Sequence, residues 1–116
     1  MREIKFRIWD FDHSVMFDWK KIVDDFGAYD LVRHQFDKSK NRATMQYTGL
    51  MDDEGADIYE GDIVPFDEEN LKCIIETDGV WFENDNLTMR YDDFKKFGKA
   101  LKVVGNIYEK TPKPAG

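Results

Sequence analysis

A lone cysteine, Cys73, stands in the chain, so no internal disulfide can form and a cytoplasmic, reducing setting is expected. Histidine is almost as scarce. His13 and His34 sit in separate polar stretches, and with Cys73 they offer too few soft ligands for a zinc site. No apolar run approaches the roughly 18 residues that a membrane-spanning helix needs, so no membrane role is expected. The opening Met1-Arg2-Glu3-Ile4-Lys5-Phe6-Arg7 does not read as a signal peptide, because charges interrupt it where an apolar segment should begin. Base is in deficit too. The 17 Lys and Arg face 24 Asp and Glu, a net charge of −7, which argues against broad neutralisation of a nucleic-acid backbone.

What is present points to β structure. Of the 116 residues, 41% are hydrophobic and 15% aromatic, which excludes disorder, and aromatic residues favour strands. The length fits one domain over 1–116: an N-terminal hairpin, helix and strand over 1–50, a barrel-like part over 51–110, and a tail over 111–116. Ile4-Lys5-Phe6-Arg7-Ile8-Trp9 alternates strictly and predicts a half-buried strand, with Ile4, Phe6 and Ile8 covered and Lys5, Arg7 and Trp9 on a polar face. Asp10–Ser14 supplies turn chemistry and Val15–Phe17 returns, so residues 3–17 predict a hairpin. Asp18 stands as the N-cap of an amphipathic helix over 19–26, with Trp19, Ile22, Val23 and Phe26 at helical spacing and Gly27 at the stop.

A weakly alternating strand over Tyr29–Phe36 and a charged loop over 37–42 follow. Ala43–Met51 predicts a strand that ends in the Asp52-Asp53-Glu54-Gly55 turn. Ile58–Val64 continues the sheet with a bulge or sharp bend at Gly61, and Pro65 stops the ladder or marks an edge. Leu71–Thr77 and Val80–Glu83 are strands joined by a turn at Asp78-Gly79. After Asn84–Asn86 turns, Leu87–Tyr91 goes out again, Asp92–Phe97 makes a helical turn closed by Gly98, and Leu101–Tyr108 is the closing strand. The fold class is mainly β: a bent antiparallel sheet with one or two short helices, in which five short strands over 57–109 match the order of an SH3-like barrel that closes without a free edge.

Three blocks carry a family resemblance. Lys5-Phe6-Arg7-Ile8-Trp9-Asp10, Met45-Gln46-Tyr47-Thr48-Gly49-Leu50 with Asp52, Gly55 and Ile58–Val64, and Val104-Gly105-Asn106-Ile107-Tyr108-Glu109 resemble the YopX family in the same order along nearly the whole chain. Trp19–Arg42 and Leu71–Lys102 depart from it. The resemblance implies a small bacteriophage or prophage protein acting in the host cytoplasm, a complex antiparallel β fold with a barrel-like C-terminal part, and oligomeric assembly. It implies no catalytic residue and no ligand.

Each chemical motif weighs lightly. Gly49, Gly55, Gly61 and Gly105 match neither a P-loop nor a dinucleotide fingerprint, and turn or bulge duty is the better reading. Asp52, Asp53, Glu54 and Asp57 fail the EF-hand template because Gly55 arrives fourth, so a solvated acidic turn is expected. Cys73 shares a face with Leu71 and Ile75 and reads as core. Tyr47, Tyr59 and Tyr108 are expected to pack their rings rather than stack bases. Asn106 and Glu109 are expected to bond the Gly61-Asp62 turn. No catalytic group, metal or cofactor is expected.

The function so read is non-enzymatic: a protein-binding, self-associating accessory module, with a host or phage protein as partner and Trp9 and Trp81 as interface anchors. The alternative is a nucleic-acid-binding small barrel that uses Arg33, Lys38, Lys40 and Arg42, a local basic run opposed only by Asp37. A third reading uses Asp52–Glu69, with nine carboxylates and no base, as an acidic decoy for a DNA-binding protein.

Overall fold

The computed structural model describes residues 3–26 and 41–109. Gly27, the strand expected over 29–36, the basic residues Arg33, Lys38 and Lys40, and the tail over 111–116 therefore lie outside the described residues. Two antiparallel sheets make up the molecule. The first has the order β2-β1-β3-β4, with β1 at Phe6–Asp10, β2 at Val15–Phe17, β3 at Arg42–Met51 and β4 at Asp57–Tyr59. The second is a curled half-barrel of order β8-β7-β6-β5-β9, with β5 at Asp62–Phe66, β6 at Glu69–Glu76, β7 at Gly79–Glu83, β8 at Thr88–Arg90 and β9 at Gly105–Asn106. β8 and β9 share no ladder among the described residues, so the expected closed barrel is corrected to an open one.

The first hairpin forms as its sequence dictates. Ile8 pairs with Phe17 and Asp10 with Val15, and the Asp10 carboxylate accepts the backbone N–H groups of Asp12 and His13 across the turn. Asp18 caps helix α1, Trp19–Lys21, by accepting the Lys21 N–H at 2.9 Å. From Ile22 to Phe26 the winding widens to a π turn, which adds a residue per turn and breaks the expected helical spacing. Ile22 is buried with Ile8, Phe6, Phe17 and Trp19, but Val23 faces solvent.

Two backbone devices join the sheets. At Gly49 (φ 87°) the β3–β4 register shifts between Tyr47 and Met51, so Tyr47 and Thr48 are both buried despite being neighbours. The Thr48 hydroxyl donates to the Ile58 carbonyl at 2.7 Å and fills the gap that this shift leaves in the ladder. At Gly61 (φ 91°) the chain leaves the first sheet and enters the second. An added Cβ there would press on Met45 Sδ at 3.4 Å and Ile107 at 3.5 Å. The bend expected at Gly61 is thus the corner of the fold. Pro65 sits in β5 opposite Asn70, beyond the two residues that pair with β9, where no partner among the described residues needs its missing N–H.

Three further expectations shift. The two-residue loop between β6 and β7 is Thr77-Asp78, because Gly79 already pairs with Glu76. Helix α2, Tyr91–Lys96, replaces the expected helical turn and ends at Gly98 (φ 68°). Of the closing strand expected over Leu101–Tyr108 only Gly105–Asn106 pairs with β5. Leu101 and Val103 donate their N–H groups to the carboxylates of Asp53 and Asp52, at 2.8 and 3.1 Å. The main core fills the half-barrel: Ile58, Val64, Leu71, Cys73, Phe82, Phe94 and Leu101 are all wholly buried within it.

Candidate binding surface

At the junction of the sheets, β1 aims Arg7 at Asp62, the first residue of β5, and the two form an ion pair. Asp62 is wholly buried and also accepts the Tyr59 N–H at 2.8 Å. The Arg7 guanidinium lies 4.5 Å from the centre of the Tyr59 ring and donates to Met45 Sδ at 3.5 Å, while its Nε has no partner among the described residues. Burial pushes the Asp62 carboxyl above its ordinary range, with Arg7 and the Tyr59 N–H opposing. Cys73, close by, is wholly buried and its thiol is pushed up to about 12, first by burial and then by the Asp62 charge. A thiol so placed is a poor nucleophile. Both Asp62 and Cys73 are closed off from solvent.

Around it the expected packing of tyrosines holds. Tyr47 and Tyr59 are buried with rings 5.6 Å apart, and burial raises both hydroxyl pKa values. Tyr108 is partly buried against them, its ring edge-on to Phe11 at 5.4 Å. Trp9 belongs to this same cluster with Met16 and Met45, so the expected polar face of β1 is corrected to a second packed face and Trp9 is half-buried. Ile4, expected to be covered, is 71% exposed. Asn106 does not bond the Gly61-Asp62 turn with its side chain. Its Oδ1 accepts the N–H groups of Tyr108 and Glu109, and its Nδ2 donates to the Glu109 carboxylate. Gly61 and Asp62 are reached instead by backbone: Gly61 O accepts the Ile107 N–H, and Asp62 pairs with Asn106 in the ladder. Gly55 takes its turn (φ 83°), while Gly105 is an ordinary strand residue opposite Ile63.

The acidic run makes the expected exposed turn at Asp53-Glu54-Gly55, but it is no continuous acidic surface. Asp52 is buried and accepts the Glu54, Ala56 and Val103 N–H groups. Asp57 pairs with Lys5 at 2.6 Å, Asp53 with Lys95 at 2.9 Å and Asp67 with Lys99 at 2.7 Å. The physical reason is a chain segment without a ladder: its orphan N–H groups need acceptors, and carboxylates provide them. Of the basic segment only Arg42 is described, and it is engaged, 3.6 Å from Asp10 and over the Phe17 ring. Among the described residues no cluster of three metal-ligating side chains occurs, and no helix is long and apolar enough to cross a membrane.

The surface with room for a partner lies elsewhere. A groove of about 500 Å³ is lined by Trp81, Leu87, Thr88, Met89, Asp93, Lys96 and Phe97. Trp81 and Met89 come from β7 and β8, and α2 with Phe97 forms the far wall. Phe97 is 60% exposed although its ring meets that of Phe66 at 5.3 Å. Trp81 is fixed from two sides: its indole N–H donates to the Asp78 carboxylate at 2.9 Å, and Arg90 covers its ring while donating to the Asp78 carbonyl. Trp81 was legible as a candidate from the sequence. Phe97 was missed, and its only signal was a large apolar residue just before the helix-closing Gly98.

This fold is similar to that of the crystal structure of protein EF1440 from Enterococcus faecalis. The match has a TM-score of 0.64 at 20% identity and covers 94% of this chain and 96% of that one, which shows a shared fold. Comparison with curated proteins finds no match. The sequence profile described as YopX protein matches residues 5–113, and the chain belongs to the YopX family.

Proposed function

We propose that this chain is a phage or prophage accessory protein of the host cytoplasm that works without catalysis, by binding protein and by self-association. On this reading the curled sheet is an SH3-like half-barrel that presents its partner surface along an open edge. The groove of Trp81, Met89 and Phe97 carries the proposal, because a soluble domain gains nothing from an exposed aromatic wall unless something covers it. Family membership supports the phage setting. The closed, buried character of the Arg7–Asp62–Cys73 centre supports a role without chemistry. Paired carboxylates over Asp52–Asp67 speak against an acidic decoy, and the engagement of Arg42 weakens the nucleic-acid alternative.

The test is a tagged pull-down from bacterial lysate, split into nuclease-treated and untreated halves, with light scattering on the purified chain at tens of micromolar. A protein retained after nuclease and a mass above that of one chain are expected. Loss of every captured species on nuclease treatment would transfer the function to nucleic acid, and a monomeric mass would end the self-association part.

A further inference from the structure

Among the described residues β8 is an edge strand, and the groove runs along that edge rather than across a face. Two neighbouring residues of the strand decide this. Thr88 projects to the outer face with Trp81 and Glu83, whereas Met89 projects inward with Phe82, yet both line the same groove. A depression that meets both faces of one strand lies beside it. The backbone of β8 fits the same picture. Leu87 accepts the Asn84 N–H, so by antiparallel alternation Met89 shares its hydrogen bonds with Phe82, and Thr88 and Arg90 turn their N–H groups away from β7, Thr88 on the side of the groove.

From this we infer that the β8 edge takes an extended segment of a partner protein as an added strand, one in which apolar residues alternate with Lys or Arg. The inference rests on the protein-binding reading and names its site and ligand class. Side chains of an added strand alternate between the faces. Those pointing inward meet Met89, Leu87 and Phe97, where Asp93 and Lys96 offset each other at 3.7 Å and leave the wall apolar. Those pointing outward meet a second depression that shares Trp81 and Thr88 with the groove and adds Glu76, Asp78 and Glu83. These three carboxylates outweigh the cations of that face. Arg90 is committed to Asp78 and Trp81, and Lys72 stands opposite Glu83 in the ladder. The same charge makes a second copy the poorer occupant, because antiparallel pairing of two β8 edges would bring two such faces together.

The experiment is isothermal titration calorimetry of the full chain with a capped peptide of alternating valine and lysine. Controls of equal length alternate glycine with lysine and valine with glutamate. Saturable binding of the first is expected, with the glycine–lysine control at least about tenfold weaker and the valine–glutamate control silent. Phe97→Ser removes the apolar wall without touching the ladder, and Thr88→Pro deletes an outward N–H. Each is expected to weaken the valine–lysine peptide about tenfold, with Phe97→Ser deciding if Thr88→Pro melts early. Equal binding of the two lysine peptides would reduce the effect to net charge and overturn the proposal. So would affinity unchanged by Phe97→Ser, or self-association abolished by it. If Phe97→Ser still retains a nuclease-resistant partner from lysate, this edge is wrong while protein binding stands.

Discussion

Asp53 shows how a single residue can carry an irregular segment. Its carboxylate accepts from Lys95 and from the Leu101 N–H, and its own N–H donates to the Leu101 carbonyl. The Lys95 bond first, then the backbone bond, holds the Asp53 carboxyl below its ordinary range, and the same contact raises Lys95. The signs give a window. A depressed carboxyl stabilises the fold above its unfolded pKa, near 3.8, and that contribution fades as pH falls through the lower folded value. A raised amine stabilises below its unfolded value of 10.5 and loses that contribution above the folded one. Asp53→Asn is therefore expected to lower Tm at pH 7 and to differ less from the parent at pH 2.5, as read by circular dichroism melts. An equal deficit at both pH values would show that shape, not charge, does the holding.

Between elements, the decisive contact is Arg7 on β1 with Asp62 on β5, since it ties one sheet to the other at the Gly61 corner. Removing one partner of a buried pair leaves an uncompensated charge, at a cost of about 3–5 kcal/mol. Asp62→Asn is expected to destabilise by that order in urea titrations. Arg7→Met combined with Asp62→Asn should recover much of it, because the amide oxygen can still accept the Tyr59 N–H while no charge stays buried. Additive losses in the double variant would show that the pair is not coupled. None of this was legible from the sequence, in which Arg7 reads as the solvent side of an alternating strand. The alternation was correct, but β1 packs on both faces, and period-two patterning cannot tell a polar face from a second core that admits one paired charge. The turns around Gly55 and Gly61 and the strands of the half-barrel were legible, because positive-φ glycines and β-rich runs act locally. Residues 101–104 were not. They have strand composition, and only distant carboxylates at Asp52 and Asp53 decide that their N–H groups leave the ladder. The groove was half-legible: Trp81 could be named, but its pairing with Phe97 depends on where α2 folds back.

At the scale of the whole molecule, the open half-barrel raises the question of whether it unfolds as one unit. Its core joins residues from β4 to the segment after α2, with Ile58, Leu71, Phe82, Phe94 and Leu101 all inaccessible to solvent. The cluster beneath β1 and α1 rests, among the described residues, on Ile8 and Ile22 with half-buried neighbours. Local openings should therefore start at β2, among the described residues an edge strand of three residues that includes exposed Val15, while the half-barrel waits for global unfolding. Cys73 makes this measurable, because it is the chain's sole thiol, lies wholly inside the half-barrel, and its burial holds the pKa at about 12. Labelling with an aromatic disulfide at pH 8 is expected to be slower than in denaturant by at least about a thousandfold, the factor a domain stability of roughly 5 kcal/mol implies. Its opening free energy should equal that from urea titration, whereas β2 amides should exchange at a lower one. Rapid labelling of Cys73 without global unfolding would mean that the unclosed edge between β8 and β9 breathes. The edge proposed to bind a partner would then be the weak seam of the fold instead of a rigid template.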